Sequence, residues 1–344
     1  MRKTSDAHLL MDDVGNKSHE LADVLLSKLQ KAPASGDDAD WQESVDAILQ
    51  RIDPSSLSHH VIRRLERMRL PVQKSLSFHY QMVEESESRK LGIVPPSWRL
   101  NRKTRAYQFV DRIEVRRPET TPEAIRFSTV PQRSPSVIKA ISGTGGRGTY
   151  LAFSDDRIRH VADGTELTSW GHFEDHARSL MESAHRRVPD RWIVEELILE
   201  NRAEAIPARD SKFFCFYGEV LFNLDVIRGV NGSQYSFSLP DGSSVRPGDW
   251  DYDYFDSPGP TSEQLELTAR ISREIPHPFM RIDMLLGEDE LVFGEFTPRP
   301  GQFHRFSPEW DRRMGEAWIR AEARLREDLL NGKKFEAYRK TVAS

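Results

Sequence analysis

The stretch Arg281-Ile-Asp283-Met-Leu-Leu-Gly-Glu-Asp-Glu-Leu-Val-Phe-Gly-Glu295-Phe-Thr297-Pro-Arg299-Pro-Gly301 decides how the rest of the chain is read. Two apolar runs flank Gly287-Glu-Asp-Glu290, the pattern of two antiparallel strands joined by a turn. Asp283 and Glu295 stand twelve positions apart (295 − 283) and can lie side by side, facing one way. Carboxylates are hard oxygen ligands, and Mg²⁺ is held by one or two of them together with phosphate oxygens. Arg281, two residues before Asp283, shares its strand face and can meet a γ-phosphate or a developing negative charge. Two acids and an arginine set between apolar runs without partners would be costly, which favours a functional role.

Upstream, Asp210-Ser-Lys212-Phe-Phe-Cys-Phe216 reads as a strand whose first turn of alternation carries Lys212, either solvated or aimed at a cleft. Trp192-Ile-Val-Glu195-Glu196-Leu197-Ile198 is an apolar strand running into two glutamates. It suits a hinge whose backbone reads an adenine edge between aliphatic side chains; a strand end with solvated acids is the plainer alternative. Further back, Val137-Ile-Lys139-Ala-Ile-Ser142-Gly143-Thr-Gly145-Gly146-Arg147-Gly148 delivers a lysine from a strand into a glycine-rich turn. Glycines let backbone N–H groups surround phosphate oxygens, with Lys139 and Arg147 adding charge. No Gly-Lys-Ser/Thr closes this turn, so it is not a Walker P-loop.

Around these motifs lie further short β-rich runs at 220–225 and helical patterns at 170–187 and 261–275. Thr261-Ser-Glu-Gln264 has the form of a capping region. The interleaving predicts an α+β body. The first ninety residues differ: helical patterns at 41–52, 57–70 and 76–91 follow an earlier apolar run of Leu21, Val24, Leu25, Leu26 and Leu29. The expected division is a helical segment over 1–91, a main region over 92–330 closed by a charged helix at 310–330, and a tail over 331–344.

Of 344 residues, 38% are hydrophobic and 30% charged, a globular and rather polar balance. A net charge of −5 disfavours a general nucleic-acid binder, which draws on cationic neutralisation of phosphates. No run approaches the roughly 18 apolar residues of a membrane span, and 1–30 lacks the apolar core of a signal peptide. The single cysteine, Cys215, excludes an intramolecular disulfide. The expectation is a cytoplasmic enzyme.

Taken in order, the four motifs resemble the ATP-grasp superfamily. The nearest likeness is to the TupA-like ATP-grasp family, linked to teichuronopeptide and surface-polysaccharide synthesis. It is carried by Lys212-Phe-Phe-Cys-Phe216, Arg281-Ile-Asp283, Gly294-Glu295-Phe-Thr297-Pro298 and a closing Phe306-Ser-Pro-Glu-Trp-Asp311, over about residues 95 to 320. The resemblance implies an ATP-grasp fold of two α+β subdomains clasping ATP. It implies Lys139 and Lys212 on phosphates, Ser142 to Gly148 closing over them, and Glu195 to Ile198 holding adenine. Mg²⁺ would sit on Asp283 and Glu295. Most ATP-grasp enzymes have asparagine two places after the metal-binding glutamate; here Thr297 stands there. A ribose-binding acid is expected soon after the hinge, either Glu200 or Glu204. The implied reaction joins a carboxylate to an amine through an acyl phosphate, releasing ADP and phosphate. The substrates would be a small molecule, glycan or peptide bearing those groups, with phosphoryl transfer to a hydroxyl or a non-catalytic scaffold as alternatives. Arg281 and Lys212 take the catalytic roles.

Four other features bear on function. His172 and His176 are four apart and can share a helix face, but lack an evident third ligand for zinc. Asp249-Trp-Asp-Tyr-Asp-Tyr-Phe-Asp256 reads as a solvated loop, with substrate contact as the alternative. The basic residues between Arg99 and Arg117, Lys103 among them, read as a solvated helix, with contact to a phosphorylated or acidic substrate such as a nucleotide-linked sugar as the alternative. Arg299, just beyond the metal strand, is the candidate contact for a substrate carboxylate.

Overall fold

The structure is a computed structural model that describes residues 17, 20–33, 38–141, 146–183, 188–229 and 232–343. The chain forms two compact units. The first comprises Met1–Val94, Pro247–Asp249 and Gly301–Ala323; the second comprises Pro95–Arg246, Trp250–Pro300 and Arg324–Ser344. Among the described residues no helix is long and apolar enough to cross a membrane.

The first unit is helical. A helix over 20–30 is followed by α1 (Ala39–Leu49), α2 (His59–Met68) and α3 (Phe78–Lys90). Each labelled helix begins where a side-chain oxygen takes up an orphan N–H: Asp38 accepts from Trp41, Ser58 from Val61 and Ser77 from Tyr80. The 20–30 helix, α1 and α2 meet in a core of Leu25, Leu29, Val45, Leu49, Val61 and Leu65. The helix Pro308–Leu330 packs its Gly315 so closely on the 76–77 backbone that an added Cβ would lie 1.7 Å from the Leu76 carbonyl oxygen.

The second unit holds the sheets. Helix α4 (Lys103–Arg112) precedes β1 (Ser136–Ala140), β2 (Thr149–Ser154), β3 (Arg157–His160), β4 (Glu166–Leu167), α5 (Trp170–Glu182) and β5 (Trp192–Glu196). The five strands make one antiparallel sheet in the order β4-β3-β2-β1-β5. Strand alternation sorts β1: Ile138 and Ala140 join a core with Tyr150, Phe173, Ala177 and Trp192, while Val137 and Lys139 turn to the other face.

A two-stranded ribbon, β6 (Leu199–Asn201) and β7 (Ile206–Pro207), leads to β8 (Arg209–Phe216), β9 (Glu219–Gly229), β10 (Gly232–Ser238) and β11 (Asp253–Tyr254). After α6 (Ser262–Arg273) come β12 (Met280–Leu286) and β13 (Leu291–Thr297). These last strands form a six-stranded sheet in the order β11-β10-β9-β8-β12-β13, antiparallel except for the β10–β11 pair. The Thr261–Gln264 capping box expected from the sequence starts α6. Aromatic residues fill this sheet, with Phe214 stacked on Phe222 at 4.2 Å. The 249–256 stretch departs from a solvated loop: Trp250 is buried, and Tyr252 stacks on Tyr235 at 3.8 Å. Alternating acids and aromatics there form a β-edge whose rings lie on β10.

Candidate functional site

Within the second unit a cavity of about 1010 Å³ is lined from both sheets and from α4. Val137, Leu197, Ile198 and Leu285 give it apolar walls; Lys103, Lys139, Glu195, Asp210 and Arg228 give it charge. A cavity of this size accommodates a nucleotide.

On the first sheet, Glu195 pairs with Val137 in register and is 7% exposed. Lys139 donates to it from β1, and Lys103 lies 2.7 Å from its other oxygen. Burial alone would raise the Glu195 carboxyl, but Lys103 and Lys139 overcome this and hold it below the usual range. Burial holds the Lys139 ammonium below the usual lysine range, against the pull of Glu195 and with the push of Lys103. Two ammonium groups thus share one carboxylate. Glu196, next along, is turned onto Arg116 by hydrogen bonds of 2.6 and 2.8 Å. Leu197 and Ile198 are buried and line the cavity, at the point where β5 gives way to the β6–β7 ribbon.

On the second sheet, Asp283 lies directly across from Glu295, and Arg281 across from Thr297. This depends on an irregularity. Next to the turn the ladder pairs Leu286 with Leu291 and Met284 with Phe293, a register that would set Glu295 across from Ile282. The register shifts between Asp283 and Met284, leaving Gly294 as the extra residue of a bulge. Only glycine fits there, since a Cβ would lie 2.9 Å from the Asp283 carbonyl oxygen. The bulge therefore brings Glu295 onto the face of Asp283.

Asp283 is 4% exposed and is held by three donor contacts: Arg281 Nε and Nη2, both at 2.7 Å, and Lys212 Nζ at 2.9 Å. Arg281 Nη2 also donates to Thr297 Oγ1 at 3.0 Å. Lys212 reaches Asp210 at 3.4 Å, and Arg228 grips the same Asp210 oxygen at 2.6 Å. Through Asp210 and Arg228 this cluster meets the cavity lining. Desolvation, and then the Asp283 carboxylate, hold the Glu295 carboxyl above the usual range against Lys212 and Arg281.

The structure brings Lys139, Glu195, Leu197 and Ile198 to the cavity, and Lys212, Arg281, Asp283, Glu295 and Thr297 together at the adjoining cluster. Glu200 lines the cavity and pairs with Arg209 at 2.7 Å; Glu204 is exposed in the turn before β7 and is not among the lining residues. Arg299 lies 5.1 Å over the Trp98 ring and is exposed. Ser142, Gly143 and Gly145 lie outside the described residues. Gly146 packs on Val161 and Ala162, which border the cavity, and Arg147 bears electrostatically on Tyr150 and His176. His172 bonds Thr168 while His176 bonds Tyr150, so the two do not act as a pair.

Tyr107 was not legible as a site residue, and Lys103 read first as part of a solvated basic helix. They lie four apart on α4, beside the buried Ala106, Phe109 and Val110, and this spacing is the signal that sets them apart from the exposed Arg102. The Tyr107 hydroxyl is buried and has no hydrogen-bond partner among the described residues.

Two sheets lining one cavity, with lysines on one and a paired-carboxylate strand hairpin on the other, define an ATP-grasp protein. The sequence pattern of the TupA-like ATPgrasp family matches residues 85–319, and the chain belongs to that family. Similar solved structures include D-alanine–D-alanine ligase from Bacillus anthracis, 11% identical with a TM-score of 0.40, over 71% of this chain and 76% of that one. Another is the ATP-grasp ligase PsnB with its minimal precursor, 10% identical with a TM-score of 0.36, over 82% of this chain and 71% of that one. No curated protein matches the chain.

Proposed function

We propose that the cavity binds Mg²⁺·ATP and that the chain is an ADP-forming carboxylate–amine ligase. The observation that carries this reading is the Asp283–Glu295 pair, set on one face by the Gly294 bulge and flanked by Lys212 and Arg281. The donor set fits Mg²⁺: two carboxylates in register, a threonine hydroxyl, and a Glu295 carboxyl held up by desolvation and then by the Asp283 charge, which a cation would relieve. Asp283, Glu295 and Thr297 would hold the ion, which when bound neutralises charge on the phosphate oxygens.

The protein's own groups then divide the work. Leu197, Ile198, Val137 and Leu285 enclose the base, and Glu200 is placed for the ribose. Lys103 and Lys139 carry more positive charge than Glu195 balances, which suits them to phosphate oxygens. Lys212 and Arg281 stand where the γ-phosphoryl group is transferred, and fixed donors there stabilise developing charge without reorganisation. The γ-phosphoryl group passes to a substrate carboxylate oxygen, leaving ADP. An amine attacks the acyl carbon, loses a proton, and expels phosphate. Arg299 is placed outside the cluster to meet a substrate carboxylate. The TupA-like likeness supports a glycan or peptide conjugate of the cell surface as substrate, with the chain working in the cytoplasm.

Calorimetry with and without Mg²⁺ tests the nucleotide site. Wild type is expected to bind ATP in a Mg²⁺-dependent way, and Asp283→Asn/Glu295→Gln to weaken it by about 10²-fold or more. Hydroxylamine added with ATP and candidate acids would trap an acyl phosphate as a hydroxamate. ATP binding with phosphorylation of a hydroxyl instead would replace the ligase by a kinase. No binding to folded wild type would end the nucleotide reading.

A further inference from the structure

Beside Gly148, three side chains that the nucleotide reading leaves unused come together. His160 ends β3, Asp163 lies in the turn after it, and His176 projects from α5, with their ligating atoms all within 4.8 Å of one another. Two histidines and an acid are a common transition-metal set. The hydrogen bonds already made argue for a different role. His160 is 1% exposed, and its Nδ1 lies 2.8 Å from Asp163 Oδ1. The backbone N–H of Gly148 points at its Nε2, at 3.3 Å. A backbone N–H only donates, so Nε2 must present its lone pair. The neutral ring then carries its proton on Nδ1 and donates it to Asp163. A metal on Nδ1 would move that proton to Nε2 and set two N–H donors against each other at Gly148. His176 meanwhile spends Nδ1 on the Tyr150 hydroxyl, at 2.9 Å.

We propose that Asp163 and His160 form a latch that positions Gly148, where the chain enters β2 beside the cavity. Asp163 is anchored first: the Thr165 N–H and hydroxyl donate to the same Oδ1 at 3.0 and 2.7 Å. The carboxylate fixes the tautomer of His160, and the ring's remaining nitrogen holds the Gly148 amide. The Gly148 carbonyl is taken by Ala140 N–H at 2.9 Å, so this residue is fixed on both sides. Its φ of +71° and the 3.1 Å gap that a Cβ would leave to Val188 admit only glycine. Tyr150 and His176 hold the imidazole in place, their rings 5.0 and 4.8 Å from it. Asp163 also lines the cavity, so the group that sets the latch faces the proposed nucleotide. His160 acts through Gly148 and is a positioning residue. Its consequence for catalysis rests on the nucleotide reading above; the latch itself does not.

Hydrogen exchange of the Gly148 amide in nucleotide-free protein reads the latch directly. His160→Phe is expected to speed that exchange by about five- to tenfold, the loss of one buried hydrogen bond. His160→Gln, whose side-chain oxygen can accept from Gly148, is expected to restore most of the protection. In turnover, His160→Phe should raise KM for ATP by a similar factor with a smaller change in kcat, and His160→Gln should reverse it. Should His160→Phe fail to fold, Asp163→Ala releases the tautomer from an exposed turn and is expected to raise the same exchange rate. Unchanged Gly148 exchange in a folded variant, or one equivalent of zinc in the purified wild type, would overturn the latch. Faster exchange with unchanged KM for ATP would remove its positioning role. A protein that binds no ATP would still show the exchange effect, which separates this proposal from the nucleotide reading.

Discussion

The two sheets of the second unit carry their charges differently. On the first, Lys103 and Lys139 converge on Glu195 alone, two cations against one anion. On the second, Lys212, Arg228 and Arg281 stand against Asp210, Asp283 and Glu295, a balanced set in which Glu295 is the group least well compensated. The first therefore lacks an anion, and the second lacks a cation beside Glu295. Mg²⁺·ATP brings both: phosphates for the lysines and a metal for the paired acids. The imbalance counts most at the buried Glu195 and Asp283, where a low local dielectric strengthens each charge; Glu295 itself is exposed.

The largest expected effect that sharpens this contrast comes from the first sheet. Lys139→Met leaves Glu195 satisfied by Lys103 and removes the surplus charge. Isothermal titration should show ATP affinity falling by about ten- to a hundredfold, as for loss of a charged hydrogen-bond donor. Unchanged affinity would mean that the surplus on the first sheet is not used for phosphate.

The second sheet is tested at its bulge. Gly294→Ala forces a Cβ against the Asp283 carbonyl, and thermal melts are expected to show a loss of about 1–3 kcal/mol. Mg²⁺-dependent ATP binding should fall with it, since the Asp283–Glu295 register depends on that glycine. A variant of normal stability that binds Mg²⁺·ATP normally would show the register to be unimportant.

The smallest effect is a difference of sign. Glu195 is held below its usual value of 4.5, so its stabilisation is present above that pH and is lost as the pH falls through the depressed value. Glu295 is held above 4.5, so its contribution is present below that pH and is lost as the pH rises through the raised value. Denaturant midpoints of metal-free protein over about pH 3 to 7 should reveal both. Glu195→Gln should flatten the acid-side loss, and Glu295→Gln the loss on the rising side. Slopes of the same sign in both variants would refute the contrast.

The hairpin of β12 and β13, the β8 strand with Lys212, and the helices α1 to α3 were legible because each rests on local periodicity. The place of Lys103 was not: nothing near it names Glu195, 92 residues away, as its partner. Glu200 and Glu204 read alike in sequence, and only the fold of the β6–β7 ribbon separates a lining residue from an exposed one. His176 was paired by helical spacing with His172, whereas packing pairs it with Tyr150 and His160.

The sequence by itself determined which residues alternate on strands, where glycine is required, and which acids and lysines stand at strand positions able to face a ligand. Those properties follow from the two-residue period of a strand and the steric freedom of glycine, both of which act within a few residues. Tertiary structure alone decided that the Gly294 bulge turns Glu295 toward Asp283, that α4 lays Lys103 on Glu195, and that His160 meets Gly148. The first and last depend on register within a hairpin and the second on a contact 92 residues away, and one residue of register is enough to reverse which face a side chain occupies.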